Sequence, residues 1–311
     1  MVAWHRPDRF RRVFTGVGTY VGIHGADQLP VLVRKFEPKP LRVFLQSGTG
    51  DNNLYCGDWW MANQMMERSL TWAGYDVNHA WGEGGHNQKH ASQIFPEVMR
   101  WLWRDWQTDI EVKANPKGES KWKGYEVFEP RTTWESVAGA AAHRLQVQTD
   151  GRIVGTKGKN PRAVDIKGRE YSTSGGSCAL SPDQTLLYCS NPQSNFIESA
   201  QIGPDGALRH AQAFVVLDTR YDATCAAGGM CVDTNGWLYV ATSLGIQVCD
   251  QAGRVNFIIP TPKQPYDVCF GGKDLSELFI ACGDTIYKRP TKAKGVVSGQ
   301  MAPIKPPAPK L

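Results

Sequence analysis

The sequence has no long apolar run. Stretches such as Phe257–Ile259 and Leu238–Ala241 are a few residues each, far short of the ~18 that a membrane-spanning helix needs. Eight cysteines occur, at 56, 178, 189, 225, 231, 249, 269 and 282, and no two stand as C-x-x-C. That spacing excludes a zinc ribbon and a thioredoxin-type motif. The N-terminal residues lack the apolar core of a signal peptide. Acidic residues are missing from the last stretch, 288–311, which holds Lys288, Arg289, Lys292, Lys294, Lys305 and Lys310. The formal charge of +5 therefore resides in a Pro-rich tail, and the rest of the chain sums to −1. A folded nucleic-acid binder carries its positive charge on a face of the fold, so that class is excluded.

What is present is ordinary for a globular protein: 41% hydrophobic and 21% charged residues. A length of 311 residues suggests about two domains. Seven of the eight cysteines follow residue 177, several inside strand-like runs such as Tyr188-Cys189 and Val248-Cys249. There they read as small buried hydrophobes rather than disulfides.

The two halves have different periodicity. Residues 1–107 read as α/β. Leu41–Gln46 is a buried-strand run, and Trp59, Ala62, Met66, Leu70 and Ala73 then recur on one helix face, stopped by Gly74. Asp76–Trp81 is a second strand, followed by a Gly-rich loop and a helix with Ile94, Val98, Trp101 and Leu102 inward. Short strand–helix–strand connections predict parallel strands. Residues 108–133 are polar and aperiodic and read as a linker. From Trp134 on, polar Asp/Gly turns lead into short apolar strands: Leu187-Tyr188, Leu238-Tyr239 and Leu278-Phe279 end equivalent segments. Repeats of ~40–50 residues with several strands apiece mark propeller blades. About four blades are expected over 134–302, with residues 303–311 as a Pro-rich tail.

Asp51 ends the loop after the first strand, and His86 stands in Gly82-Glu-Gly-Gly-His-Asn87 after the second. A carboxylate and an imidazole at the carboxyl ends of consecutive parallel strands are the acid and base of a hydrolase triad. A helix-capping Asp beside a surface His is the plainer alternative. Zinc is a third, because His86 and His90 are four apart with Glu83 nearby.

Four motifs in order, Ala3-Trp-His-Arg-Pro-Asp-Arg-Phe10, Arg34–Gln46, Gly57-Asp-Trp-Trp-Met-Ala-Asn-Gln64 and Trp81–Asn87, resemble the enterochelin-esterase-like branch of the α/β-hydrolases. The resemblance implies that residues 1–107 are the C-terminal part of such a domain, with Asp51 as triad acid and His86 as triad base. It also implies that the chain starts just downstream of the nucleophile elbow, and no G-x-S-x-G occurs anywhere. Ser47, the serine nearest the site, lacks the flanking glycines.

Residues 134–311 resemble the SMP-30/gluconolactonase propellers through Ala179–Tyr188, Met230–Thr242 and Leu244–Asn256. The resemblance implies a lactone-hydrolysing fold with one divalent metal such as Ca²⁺ on its axis, held by Glu, Asn and Asp from different blades. In this sequence Gly176 stands in the Asn slot and Gly228 in the Asp slot, and Glu135 is a poor match for the Glu. The ligand positions are thus lost, and no cofactor is expected. Asp183 and Asp233 read as solvated turn residues.

The fold expected is therefore a partial α/β-hydrolase domain followed by an all-β, propeller-like domain of about four blades. The function expected is a carboxylic ester or lactone hydrolase by family, incomplete in this chain, acting on a small-molecule ester, lactone or carbohydrate. A non-catalytic propeller binding module is the alternative, and a serine supplied by another polypeptide is a third. An unclosed ring would leave edge strands for association with another chain. The family context suggests a bacterial protein, periplasmic or secreted at full length.

Overall fold

The computed structural model describes residues 2–112, 120–137, 142–156, 162–173, 175–191, 193–219 and 224–309. Residues 113–119 of the expected linker and 310–311 of the tail lie outside the described residues. The chain divides into two compact units, Met1–Trp122 and Lys123–Leu311. No helix among the described residues is long and apolar enough to cross a membrane.

The first unit is built on three parallel strands. β1 (Arg12–Gly16) and β3 (Asp76–Gly85) flank β2 (Arg42–Gly50). β2 is central and covered on both faces, so Arg42–Gly48 are all buried and Val43-Phe44-Leu45 runs apolar without alternation. Three helices cover the sheet. α1 (Leu29–Lys35) starts with Pro30 in its first turn, α2 (Trp59–Ala73) is capped by Asp58, whose carboxylate accepts from Met61 N, and α3 (Lys89–Leu102) follows β3. Gly74 ends α2 at φ 83°, a left-handed conformation that glycine adopts without a Cβ penalty. Leu29, Val33, Val43, Leu45, Met66 and Leu70 form the core on one face of the sheet. Phe44, Val98 and Leu102 form the core on the other.

Two features depart from the sequence expectation. β1 is an additional strand. β2 and β3 also run further than predicted, because their ends are glycine-rich: Gly48 lies opposite Gly82, and Gly50 opposite Gly85 across a bulge. A Cβ on Gly48 would lie 2.2 Å from Gly84 O. The glycines here let two strands pass at close range, so Gly82–Gly85 is strand and not loop.

In the second unit the strands are antiparallel within each sheet. Hairpin β5–β6 pairs Arg144–Val147 with Ile153–Thr156, and hairpin β7–β8 pairs Ala163–Val164 with Glu170–Tyr171. β9 (Cys178–Leu180), β10 (Leu186–Ser190), β11 (Phe196–Ile202) and β12 (Leu208–Val216) form a four-stranded sheet in sequence order. β13 (Met230–Asp233) to β16 (Val255–Ile259) form the next, extended by Gly295–Val296 alongside β13. β17 (Asp267–Gly271), β18 (Glu277–Ala281) and β19 (Ile286–Pro290) form a third, whose fourth strand is β4 (Glu135–Val137). These are blade-like repeats of the expected kind.

The C-terminal segment bonds to the β5–β6 hairpin and to each of the three larger sheets or their turns. Gly295 N donates to Leu275 O, Lys294 O accepts from Thr234 N, and Gln300 Nε2 donates to Val147 O. Ile304 N donates to Pro182 O, and Gln251 Nε2 donates to Pro307 O. The Pro-rich stretch is thus tied down along the turns.

One other expectation needs correction. The 108–133 segment is no polar tether where it is described: Trp122, Tyr125, Val127 and Phe128 are buried. Within the first unit, Trp122 Nε1 donates to Lys35 O at 2.7 Å. All eight cysteines are free, and Cys178, Cys225, Cys249, Cys269 and Cys282 are buried.

Candidate functional site

The register of the parallel sheet positions the first site. Because Gly50 lies opposite Gly85, the next residues, Asp51 and His86, emerge side by side at the carboxyl end of β2 and β3. A Cβ on Gly85 would come within 3.0 Å of Gly50 O, so the approach depends on glycine. Asp51 Oδ1 accepts from His86 Nδ1 at 2.8 Å and from Asn52 N at 2.8 Å. Asp51 Oδ2 accepts from Ser47 Oγ at 2.8 Å. The Asp51 side chain is fully buried, while that of His86 is 36% exposed. Trp59 packs its ring edge-on against the imidazole, with centroids 5.6 Å apart.

An ionised carboxylate is acceptor-only, so His86 Nδ1 carries the proton that it shares with Asp51. That fixes the tautomer and leaves Nε2 as the basic nitrogen, the arrangement a general base requires. The structure therefore brings the two sequence-predicted residues together. Ser47, however, bonds to the carboxylate and not to the imidazole. The elbow geometry, in which a hydroxyl donates to Nε2, is not what Ser47 provides.

His90 turns elsewhere. Its Nδ1 meets Gln46 Nε2 at 3.2 Å, and its ring lies against Gly82, where a Cβ would be 2.8 Å from Cε1. His86 and His90 thus have separate partners. Among the described residues, no three His, Cys, Asp or Glu side chains group to hold a metal ion.

The second candidate site lies where the first strands of the blades begin. The strand registers, aligned on Val147–Ile153, Leu180–Leu187, Val232–Leu238 and Phe270–Leu278, make His143, Gly176, Gly228 and Tyr266 equivalent positions. Arg144, Ser177, Gly229 and Asp267 follow as the next set. Neighbouring blades are stitched together here. Ser190 Oγ donates to Gly228 O at 3.1 Å, and Tyr266 O accepts from both Gly229 N and Arg144 Nη1 at 2.9 Å. Asp267 Oδ2 accepts from Leu145 N at 2.9 Å. The rings of His143 and Tyr266 meet at 5.0 Å.

This packing tests the metal that the family implies. A Cβ on Gly176 would lie 1.6 Å from Ser190 O, and one on Gly228 would lie 2.4 Å from Tyr266 O. Neither slot offers a ligand atom, and neither has room for one. The buried Asp267 carboxylate is already committed to backbone N–H groups of Leu145 and Val268. The residues present do not fit a divalent cation held in the family's manner.

Two buried carboxyls were missed or misread in the sequence. Burial pushes Asp267 up to about 6, against the backbone N–H groups of Leu145 and Val268 and the charge of Arg144. Burial likewise pushes Asp233 up to about 6, opposed by hydrogen bonds from Trp237 N, Tyr239 Oη and Asn235 N. Asp233 is a turn residue as expected, but it is wholly buried and not solvated. No local signal separates it from the half-buried Asp183; the difference is Tyr239, whose hydroxyl covers it.

Residues 137–283 match the family of the SMP-30/Gluconolactonase/LRE-like region. Over that stretch the chain is similar to SMP-30/gluconolactonase-like proteins. Regucalcin of Sus scrofa is 41% identical over 58 residues, which is 17% of this chain and 19% of that protein, and regucalcin of Oryctolagus cuniculus matches equally. A gluconolactonase from Xanthomonas campestris is 23% identical with a TM-score of 0.33, covering 57% of this chain and 50% of its own. A calcium-binding regucalcin from Agrobacterium tumefaciens is 18% identical with a TM-score of 0.36, covering 43% and 53%. The chain thus spans about a fifth of the curated relatives and about half of these solved structures. The match leaves Asp51 and His86 outside it.

Proposed function

We propose that this protein is a carboxylic ester or lactone hydrolase by family whose two candidate sites are each incomplete in this chain. The observation that carries the reading is the 2.8 Å Asp51–His86 pair at the carboxyl end of parallel strands, with Ser47 on the carboxylate. The pair supplies a base with a fixed tautomer, and the enterochelin-esterase-like motifs around it give that base an acyl-transfer role. An acyl transfer also needs a nucleophile donating to His86 Nε2, and Ser47 is not placed to be one. His86 would act on a small-molecule ester only with a hydroxyl brought to that nitrogen.

A second reading, a non-catalytic binding module, is favoured for the gluconolactonase-like region by Gly176 and Gly228. Their contacts with backbone carbonyls leave no ligand set for the lactone-polarising metal of the family. In that reading the region recognises a lactone or carbohydrate without turning it over.

Assays of the full chain against an aryl acetate and an aldonolactone, each with and without millimolar Ca²⁺, Mg²⁺ or Zn²⁺, test both readings. No turnover above the buffer rate is expected with any combination. Ion-dependent lactone hydrolysis would overturn the reading of the second unit, and ester hydrolysis lost in His86→Ala would overturn that of the first.

A further inference from the structure

Cys178 and Cys189 face each other across β9 and β10, in register. The hydrogen bonds on either side of them fix the kind of pair. Ser190 N donates to Ser177 O, and Ser181 N donates to Leu186 O. Hydrogen-bonded and non-bonded pairs alternate along an antiparallel ladder, so residues 177–190, 179–188 and 181–186 are the bonded pairs. Cys178–Cys189 is therefore a non-bonded pair, the kind in which the Cα atoms come closest and side chains meet on one face. The two sulfurs are 3.4 Å apart. Among the described residues, no other two cysteines stand opposite each other on paired strands.

The two thiols differ in setting. Cys178 is buried with Ala163, Tyr171, Leu180 and Leu187, whereas Cys189 packs at the margin of that cluster and is half-buried. The hydrogen bond between the two thiols, in which either sulfur can donate, holds the Cys178 pKa up and that of Cys189 down. Of the two, Cys189 is thus both the more accessible and the more readily ionised, and the thiolate is the reactive form.

We propose that Cys178 and Cys189 form a dithiol modification site that low-molecular-weight disulfides convert to a cross-strand disulfide. The Cys189 thiolate attacks one sulfur of the small disulfide, forming a mixed disulfide and expelling one thiolate. Cys178 then gives up its proton and attacks the Cys189 sulfur, expelling the second thiolate. The sulfur–sulfur bond of the reagent is broken and one between the cysteines is made. Two electrons pass from the pair to the reagent, which leaves as two thiols carrying the two protons. The non-bonded register meets the geometric requirement, since a disulfide needs Cα atoms about 4.4–6.8 Å apart with side chains converging. The bond would staple β9 to β10 beside Ser177 and Ser190, where the β9–β12 sheet meets the start of the sheet that opens with β13 through Ser190 Oγ and Gly228 O.

The experiment treats the reduced full chain with oxidised glutathione under native conditions, quenches with acid and alkylates under denaturing conditions. Cleavage before Asp183 separates the two cysteines. The expected result is a protein lighter by two hydrogens, whose Cys178 and Cys189 peptides stay joined until reduction. In Cys178→Ser the reaction should stop at a glutathione adduct on Cys189. In Cys189→Ser the buried Cys178 should remain a thiol. Recovery of both cysteines alkylated in the wild-type chain, or their linkage to other cysteines, would overturn the proposal whether or not the variants fold. An adduct forming on Cys178 in Cys189→Ser as fast as on Cys189 in Cys178→Ser would overturn the assigned order of attack.

Discussion

Ser47 Oγ and His86 Nδ1 bind different oxygens of one buried carboxylate, each at 2.8 Å from Asp51. The serine hydroxyl is therefore committed to the carboxylate. Ser47→Ala leaves Asp51 Oδ2 without its donor in a fully buried side chain. Such a loss costs about 1–3 kcal/mol. A thermal melt should show Ser47→Ala several degrees below wild type, and an unchanged melting temperature would mean that the hydroxyl is not holding the carboxylate.

Asp233 and Asp267 make the second unit more stable in mild acid than at neutral pH. An unfolded Asp titrates near 3.9, whereas both are pushed up to about 6 in the fold. Between these values the folded state holds protons that the unfolded state has lost. Stability from each group is complete below about pH 4 and is lost as pH rises through about 6. The loss is on the order of 3 kcal/mol for each. Asp233→Asn keeps an acceptor for the turn N–H groups and does not ionise. Its melting temperature should fall less than that of wild type between pH 4 and 7.5. Parallel profiles would contradict the burial effect.

Gly176 and Gly228 are required by packing. Gly176→Ala would force a methyl group 1.6 Å from Ser190 O, and Gly228→Ala one 2.4 Å from Tyr266 O. Overpacking costs about 1–3 kcal/mol, and backbone gives way less easily than side chains. Both variants should melt lower, Gly176→Ala by more. Adding Ca²⁺, Mg²⁺ or Zn²⁺ should give no ion-specific upward shift in the wild-type chain. A site at a hundred times its dissociation constant would add ~2.7 kcal/mol, a rise of several degrees.

Periodicity made much of the first unit legible. The apolar spacing of Trp59, Met66, Leu70 and Ala73 marks α2, and Gly74 marks its end. β1 was not legible, because Arg12–Gly16 has only Val13 and Phe14 as apolar residues and opens on an arginine directly after Arg11. The glycines at 82, 84 and 85 read as loop residues for a sound local reason, yet close pairing with β2 draws them into the strand. Asp51 and His86 were legible from their place after successive strands, but their pairing rests on the Gly50–Gly85 register, which no local pattern states. The turn repeats showed the blades. They could not show that Tyr266, Arg144 and Asp267 would fill the blade ends, since those contacts join residues over a hundred positions apart.

The most direct measurement is labelling of the full chain with a fluorophosphonate probe, in parallel with His86→Ala. A fluorophosphonate phosphonylates only a serine whose hydroxyl is activated by a base, the serine oxygen displacing fluoride from phosphorus. With Ser47 hydrogen-bonded to Asp51 and no elbow motif in the sequence, no serine should be labelled in either protein. One serine labelled in wild type and unlabelled in His86→Ala would show a complete triad and contradict the incomplete-site reading.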